Sequence, residues 1–190
     1  MNKIFTHMGS KRHIDIGSHN NYQAFDIRQL IGTFCTWYQQ TLEDKGLFLS
    51  TRINQELPKM CEGDPLLIGD LLYDLATYSL DYLSEGCVVL DVDGEDFEED
   101  WYRFYFTITA SGLGIPRMYV NKLFRAPGSR GPANDGQNYS SNLYFAKFIA
   151  RIFDGDVCVQ NSYGFGTRYL IEFCLPIRHC CFGEEHISQA

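Results

Sequence analysis

The chain has 190 residues, a formal net charge of −8, and 45% hydrophobic and 15% aromatic residues. That length carries one domain with a sizeable core, and the hydrophobic share is ordinary for a globular protein. The negative balance argues against a nucleic-acid partner, and no apolar run reaches the length of a membrane span.

The opening Met1-Asn2-Lys3-Ile4-Phe5 has too short an apolar core for a signal peptide. Seven cysteines are scattered, with no Cys-x-x-Cys pair. This argues against zinc or a disulfide framework, and most of them read as small core residues in a reducing compartment. The expected location is the cytoplasm, with no membrane contact by the chain itself.

Residues 1–24 are polar and irregular, and read as a linker or a cloning-derived segment. His7, His13 and His19 share no face that would hold a metal. Asp26 is positioned to cap a helix whose apolar residues are Ile27, Leu30, Ile31, Phe34, Tyr38 and Leu42, with Gly46 as its stop. Leu47 to Ile53 alternate as a strand, and Pro58 and Gly63 mark a loop. Asp64 and Pro65 are the cap and first residue of the next helix. Leu67, Leu71, Leu75, Tyr78 and Tyr82 form its core stripe. A second stripe holds Asp70, Asp74, Thr77 and Asp81, whose like charges repel along one line; the plain reading is a solvated face.

Cys87 to Val92 is the next strand, and Asp93-Gly94 carries a hairpin signal. The acidic connection through Asp100 lacks the ligand pattern of a calcium loop. Phe104, Phe106 and Ile108 alternate with Tyr105, Thr107 and Thr109 in a half-buried strand over Trp101–Ala110. It runs into Ser111-Gly112-Leu113-Gly114-Ile115-Pro116, where the glycines allow angles and approaches that a Cβ forbids. Val120 to Phe124 fit a short helical turn, and residues 125–139 a Gly- and Pro-rich loop. A helix follows with Leu143, Ala146, Ile149, Ala150 and Phe153 facing inward, capped by Ser140 or Ser141. Asp154-Gly155-Asp156 is a turn. Val157–Gln160 and Tyr169–Leu175 are strands joined around Gly164-Phe165-Gly166-Thr167, and residues 178–190 are a polar tail or linker.

From residue 25 to 177, this order resembles the ATP-binding catalytic domain of sensor histidine kinases, in the superfamily with the Bergerat (GHKL) fold. The motifs that carry the resemblance are Gly63-Asp64-Pro65 before the helix, the glycine box Ala110-Ser111-Gly112-Leu113-Gly114-Ile115, the closing Gly164-Phe165-Gly166-Thr167 hairpin, and Leu175-Pro176. The resemblance implies an α+β fold. That fold is a two-layer sandwich with a mixed sheet of about five strands, covered on one face by about three helices.

It also implies where nucleotide would bind, and there the sequence departs from the family pattern. The family's glycine box opens with an aspartate that accepts from the adenine amino group; here Ala110 stands at that position. The asparagine that coordinates magnesium corresponds to Asp74, within Asp70-Leu71-Leu72-Tyr73-Asp74. The lysine that meets a phosphate corresponds to Thr77. The second glycine box aligns with Asn138-Tyr139-Ser140-Ser141-Asn142, without a glycine. Gly112, Gly114 and Thr167 keep the family pattern.

The implied reading is a pseudo-ATPase (pseudokinase) domain of a two-component or phosphorelay protein. It would have no catalytic residues and no bound cofactor, and its role would be regulatory or scaffolding. Its partners would be the histidine-dimerisation, receiver or phosphotransfer domains of its parent protein. The second reading is the catalytic domain of a divergent active kinase, in which ATP and Mg bind, Asp74 holds the metal, Ser111 or a water contacts adenine, and the amides of residues 140–142 meet phosphate. A third is a different small ligand lined by Tyr73, Tyr139 and Tyr144.

Overall fold

The computed structural model describes residues 21–80, 83, 85–120, 123–125, 141–162 and 164–178. Its centre is a five-stranded sheet in the order β2-β4-β5-β7-β6, from β2 (Phe48–Ile53), β4 (Cys87–Glu98), β5 (Trp101–Ala110), β6 (Asp156–Ser162) and β7 (Gly166–Pro176). β2 runs parallel to β4, and every other neighbouring pair is antiparallel. Helices α1 (Ile27–Glu43), α2 (Pro65–Leu80) and α4 (Ser141–Ile152) form the second layer, with the single turn α3 (Arg117–Val120) after the glycine box. The expected α+β sandwich with a mixed sheet is therefore the observed fold.

Local chemistry starts the helices where expected. Asp26 accepts from the backbone N–H of Arg28 and Gln29, and Asp64 accepts from those of Leu66 and Leu67, so each satisfies orphan donors of a first turn. The core is one cluster between the layers. Phe104, Phe106 and Ile108 of β5 and Tyr169, Ile171 and Phe173 of β7 face the buried sides of α2 and α4. All five inward residues expected near α4 are buried. Inside this core the Tyr38 hydroxyl lies 2.6 Å from Ser79 Oγ, which itself donates to Ala76 O, so a polar contact fastens α1 to α2. The opposite sheet face is half-exposed and carries the Arg52–Asp91 and Arg103–Glu172 ion pairs.

Four local expectations are corrected. Asp93 and Gly94 do not turn; they lie inside β4, with Gly94 opposite Phe104. A Cβ at Gly94 would sit 2.3 Å from the Tyr102 ring, so the glycine makes room for an aromatic across the ladder. The hairpin turns later, where Asp100 takes a φ of 62°. Second, Gln23–Asp26 and Met60–Gly63, read as irregular chain and loop, pair as antiparallel strands β1 and β3. They are too short to announce themselves, and each is a strand because of the other. Beyond β7, Arg178 N donates to Met60 O. Third, the helical turn after the glycine box begins at Arg117 rather than Val120. Fourth, most of the cysteines are expected in the core, but of the five among the described residues only Cys61 and Cys174 are buried; Cys35 and Cys158 are half-buried and Cys87 is exposed.

Candidate functional site

The site is built on the end of β5. Ala110 is buried and lies between Val88 of β4 and Thr167 of β7. The chain then leaves the sheet through Gly112 (φ 121°) and Gly114 (φ 73°). Both angles belong to the region that glycine enters without strain.

The turn is fastened on both sides. Ser111 N donates to Cys87 O, while Ser111 Oγ accepts from Cys87 N at 2.8 Å and donates to Cys87 O at 2.9 Å. On the other side, Asn161 Oδ1 accepts from Ile115 N at 2.7 Å and its Nδ2 donates to Ile115 O at 2.8 Å. Thr167 Oγ1 donates to the same Oδ1 at 2.8 Å. Gly164 N donates to Leu113 O at 2.7 Å. Asn161 thus ties the glycine box to the closing hairpin, and it was not among the residues singled out from sequence. Its partner lies 46 residues away, so no local pattern exposes it.

Gly114 and Gly166 make this contact sterically possible. A Cβ on Gly114 would fall 2.8 Å from Asn161 Oδ1, and one on Gly166 would fall 2.3 Å from Ala110 O.

Helix α2 packs against α4 and against β5 and β7. Tyr78 meets Tyr169 edge-on, with ring centroids 6.2 Å apart, and so joins the helix to the strand that carries Thr167. Asp70 and Thr77 are exposed and Asp74 is half-buried. Burial, and after it the neighbouring Asp70 carboxylate, push the Asp74 carboxyl from its ordinary 3.8 up to about 6. Asp74 therefore pays a desolvation cost as an anion, and a bound cation would relieve it. Among the described residues, no group of three or more His, Cys, Asp or Glu converges as a metal site.

The structure brings Ala110, Gly112, Gly114 and Thr167 together at one sheet end and sets Asp70, Asp74 and Thr77 along α2. Ser140 lies outside the described residues. Asn142 is in the first turn of α4, and only its backbone is described. The 125–139 loop lies outside them too, except Arg125. Tyr73 packs between the helices against Phe34 and Trp37, Tyr144 rests on Phe145, and Tyr139 is not described.

Among the described residues, no helix is long and apolar enough to cross a membrane.

No protein-family model matches the chain. In sequence it is 28% identical over 137 residues to Two-component system protein A of Emericella nidulans, covering 70% of this chain and 20% of that protein. It is 24% identical over 155 residues to Hybrid signal transduction histidine kinase B of Dictyostelium discoideum, covering 80% of this chain and 8% of that protein. The chain thus spans a fifth or less of the length of these curated relatives. In structure it superposes on full-length ShkA, solved in complex with AMPPNP, with a TM-score of 0.65 at 17% identity over 84% of this chain and 32% of that one. It also superposes on the catalytic domain of the histidine kinase ThkA, with a TM-score of 0.57 at 16% identity over 82% of this chain and 95% of that one. The chain resembles sensor histidine kinases in sequence, and its fold is that of their catalytic domain.

Proposed function

We propose that this chain is a degenerate histidine-kinase-type ATPase domain (a pseudokinase with the Bergerat fold) within a two-component or phosphorelay protein. Its ATP binding is weakened or lost, and its role is regulatory or scaffolding. Its partners are the other domains of its parent, namely a histidine-dimerisation, receiver or phosphotransfer domain, and it works in the cytoplasm.

The observation that carries this reading is the end of β5. Ala110 brings a methyl where the family pattern has an adenine-binding carboxylate. The neighbouring hydroxyls do not replace it. Ser111 Oγ is turned to the backbone of Cys87, and Thr167 Oγ1 to Asn161. A hydrogen bond to a charged acceptor contributes about 1.5–3 kcal/mol, so its loss weakens binding by roughly 10–100-fold. Thr77 removes a positive charge from the phosphate end. Without a metal, Asp74 repels a triphosphate. With about 1–2 kcal/mol for each defect, a micromolar site becomes millimolar or worse.

Restoring the family pattern tests the reading. Asp74→Asn, Thr77→Lys and Ala110→Asp together should strengthen ATP binding at least tenfold over the wild-type chain. No gain in a correctly folded triple variant would mean that these positions do not form the nucleotide site.

One observation favours the second reading, that of a divergent active kinase domain. Asp74 is half-buried beside Asp70, and magnesium accepts carboxylate ligands readily. In that case Asp74→Ala abolishes phosphorylation of the histidine domain of the parent protein.

A further inference from the structure

An open groove of about 350 Å³ runs between the N-terminal halves of α1 and α2. Its floor is apolar, from Leu30, Phe34 and the ring of Tyr73, and Leu66 stands on its rim at 61% exposed. Asp26 and Asp70 are the charged residues that line it. The nearby Arg28 guanidinium is turned away to the carbonyls of Gln55 and Leu57. The groove is therefore anionic at its edges and greasy at its base.

Gly69 supplies an independent observation. It lies in the second turn of α2 and lines the groove. Glycine there weakens a helix relative to alanine, and the fold does not require it. A Cβ at Gly69 would make only ordinary contact with the Tyr73 ring, at 3.7 Å and 4.0 Å. What a bare backbone at that point does provide is close approach from outside.

We propose that this groove docks a basic amphipathic helix of a partner domain. Its apolar stripe would lie on Leu30, Phe34 and Leu66, its backbone would pass closest at Gly69, and its flanking Lys or Arg residues would face Asp26 and Asp70. This is the helix-in-groove mode, with charge setting the choice of partner. The proposal does not depend on whether the end of β5 binds nucleotide.

The probe is a labelled Leu/Lys peptide of about 18 residues with an apolar i, i+3, i+4, i+7 stripe. A scrambled peptide of the same composition controls for attraction to an acidic protein. Anisotropy titrations into the full chain should show the patterned peptide binding at least tenfold more tightly than the scramble. Gly69→Met, which fills the floor, and Leu66→Lys, which reverses the rim, should each abolish that difference while keeping the wild-type circular dichroism and melting no lower than wild type. Gly69→Ala, which narrows the floor while strengthening the helix, should melt no lower than wild type and bind more weakly. Equal binding of the two peptides, or full affinity in Gly69→Met, would overturn the proposal. So would a dimer in sedimentation that Leu66→Lys dissolves, because the occupant would then be a second copy of the chain.

Discussion

Asn161 grips the backbone of Ile115 at both polar atoms, accepting from its N–H at 2.7 Å and donating to its carbonyl at 2.8 Å. The same Oδ1 also accepts from Thr167. One side chain of β6 therefore holds the exit of the glycine box against the start of β7. Asn161→Ala leaves buried partners unsatisfied, Ile115 and Thr167, and should cost about 2–4 kcal/mol. Asn161→Asp keeps the acceptor, loses the donor, and should fall between the two. Urea unfolding at constant m-value measures both. Wild-type midpoints in both variants would mean that the contact is incidental.

The two glycines of the closing hairpin differ in what surrounds them. Gly164 has a φ of 90° with nothing within 4 Å of a Cβ, whereas Gly166 has a φ of 106° and would place a Cβ 2.3 Å from Ala110 O. Gly164→Ala should cost about 1 kcal/mol, from backbone strain alone. Gly166→Ala adds a clash with backbone and should cost about 3 kcal/mol or more. Equal melting temperatures for the two variants would contradict the packing described for β5 and β7.

Much of the frame is legible in the sequence because its signals are local. Asp26 and Asp64 cap with their own side chains, and the apolar periodicity of α1, α2 and α4 follows from single helices. What is not legible depends on distant chain. β1 and β3 exist only as a pair, the Asp93-Gly94 turn signal yields to the Tyr102 ring across the ladder, and Asn161 acts on Ile115. At the site, the aligned positions Ala110, Gly112, Gly114 and Thr167 do converge. That the hydroxyls of Ser111 and Thr167 face protein partners is visible only in three dimensions.

Asp74 gives the chain a pH signature. Its folded carboxyl titrates at about 6, above the ordinary 3.8. The folded state therefore holds the proton more tightly than the unfolded state. This stabilisation is complete below the unfolded value and is lost as pH rises through about 6. Asp74→Asn, which cannot ionise, should stabilise the chain relative to wild type at pH 7.5 by about 1–2 kcal/mol, a figure reduced for solvent screening of a half-buried group. The gap should shrink toward pH 4. Unfolding curves across that window check the sign; a gap independent of pH would rule out Asp74 as its source.

Gly32 lies within α1, and a Cβ there would meet nothing within 4 Å. Gly32→Ala should raise stability by about 0.5–1 kcal/mol through helix propensity. At 2–4 °C per kcal/mol for a domain of this size, the change is readable by thermal melting. A lower melting temperature would show that this helix face is packed by something beyond the described residues.

Calorimetric titration of the wild-type chain with ATP and magnesium, repeated with ADP and without metal, decides whether this domain still binds nucleotide. The expected result is no saturable heat at sub-millimolar nucleotide, with or without metal, because Ala110 and Thr77 each withdraw a contact that the family pattern supplies. Metal-dependent binding in the micromolar range would rule out a degenerate nucleotide site. It would make Asp74 a working magnesium ligand and the chain a nucleotide-binding domain.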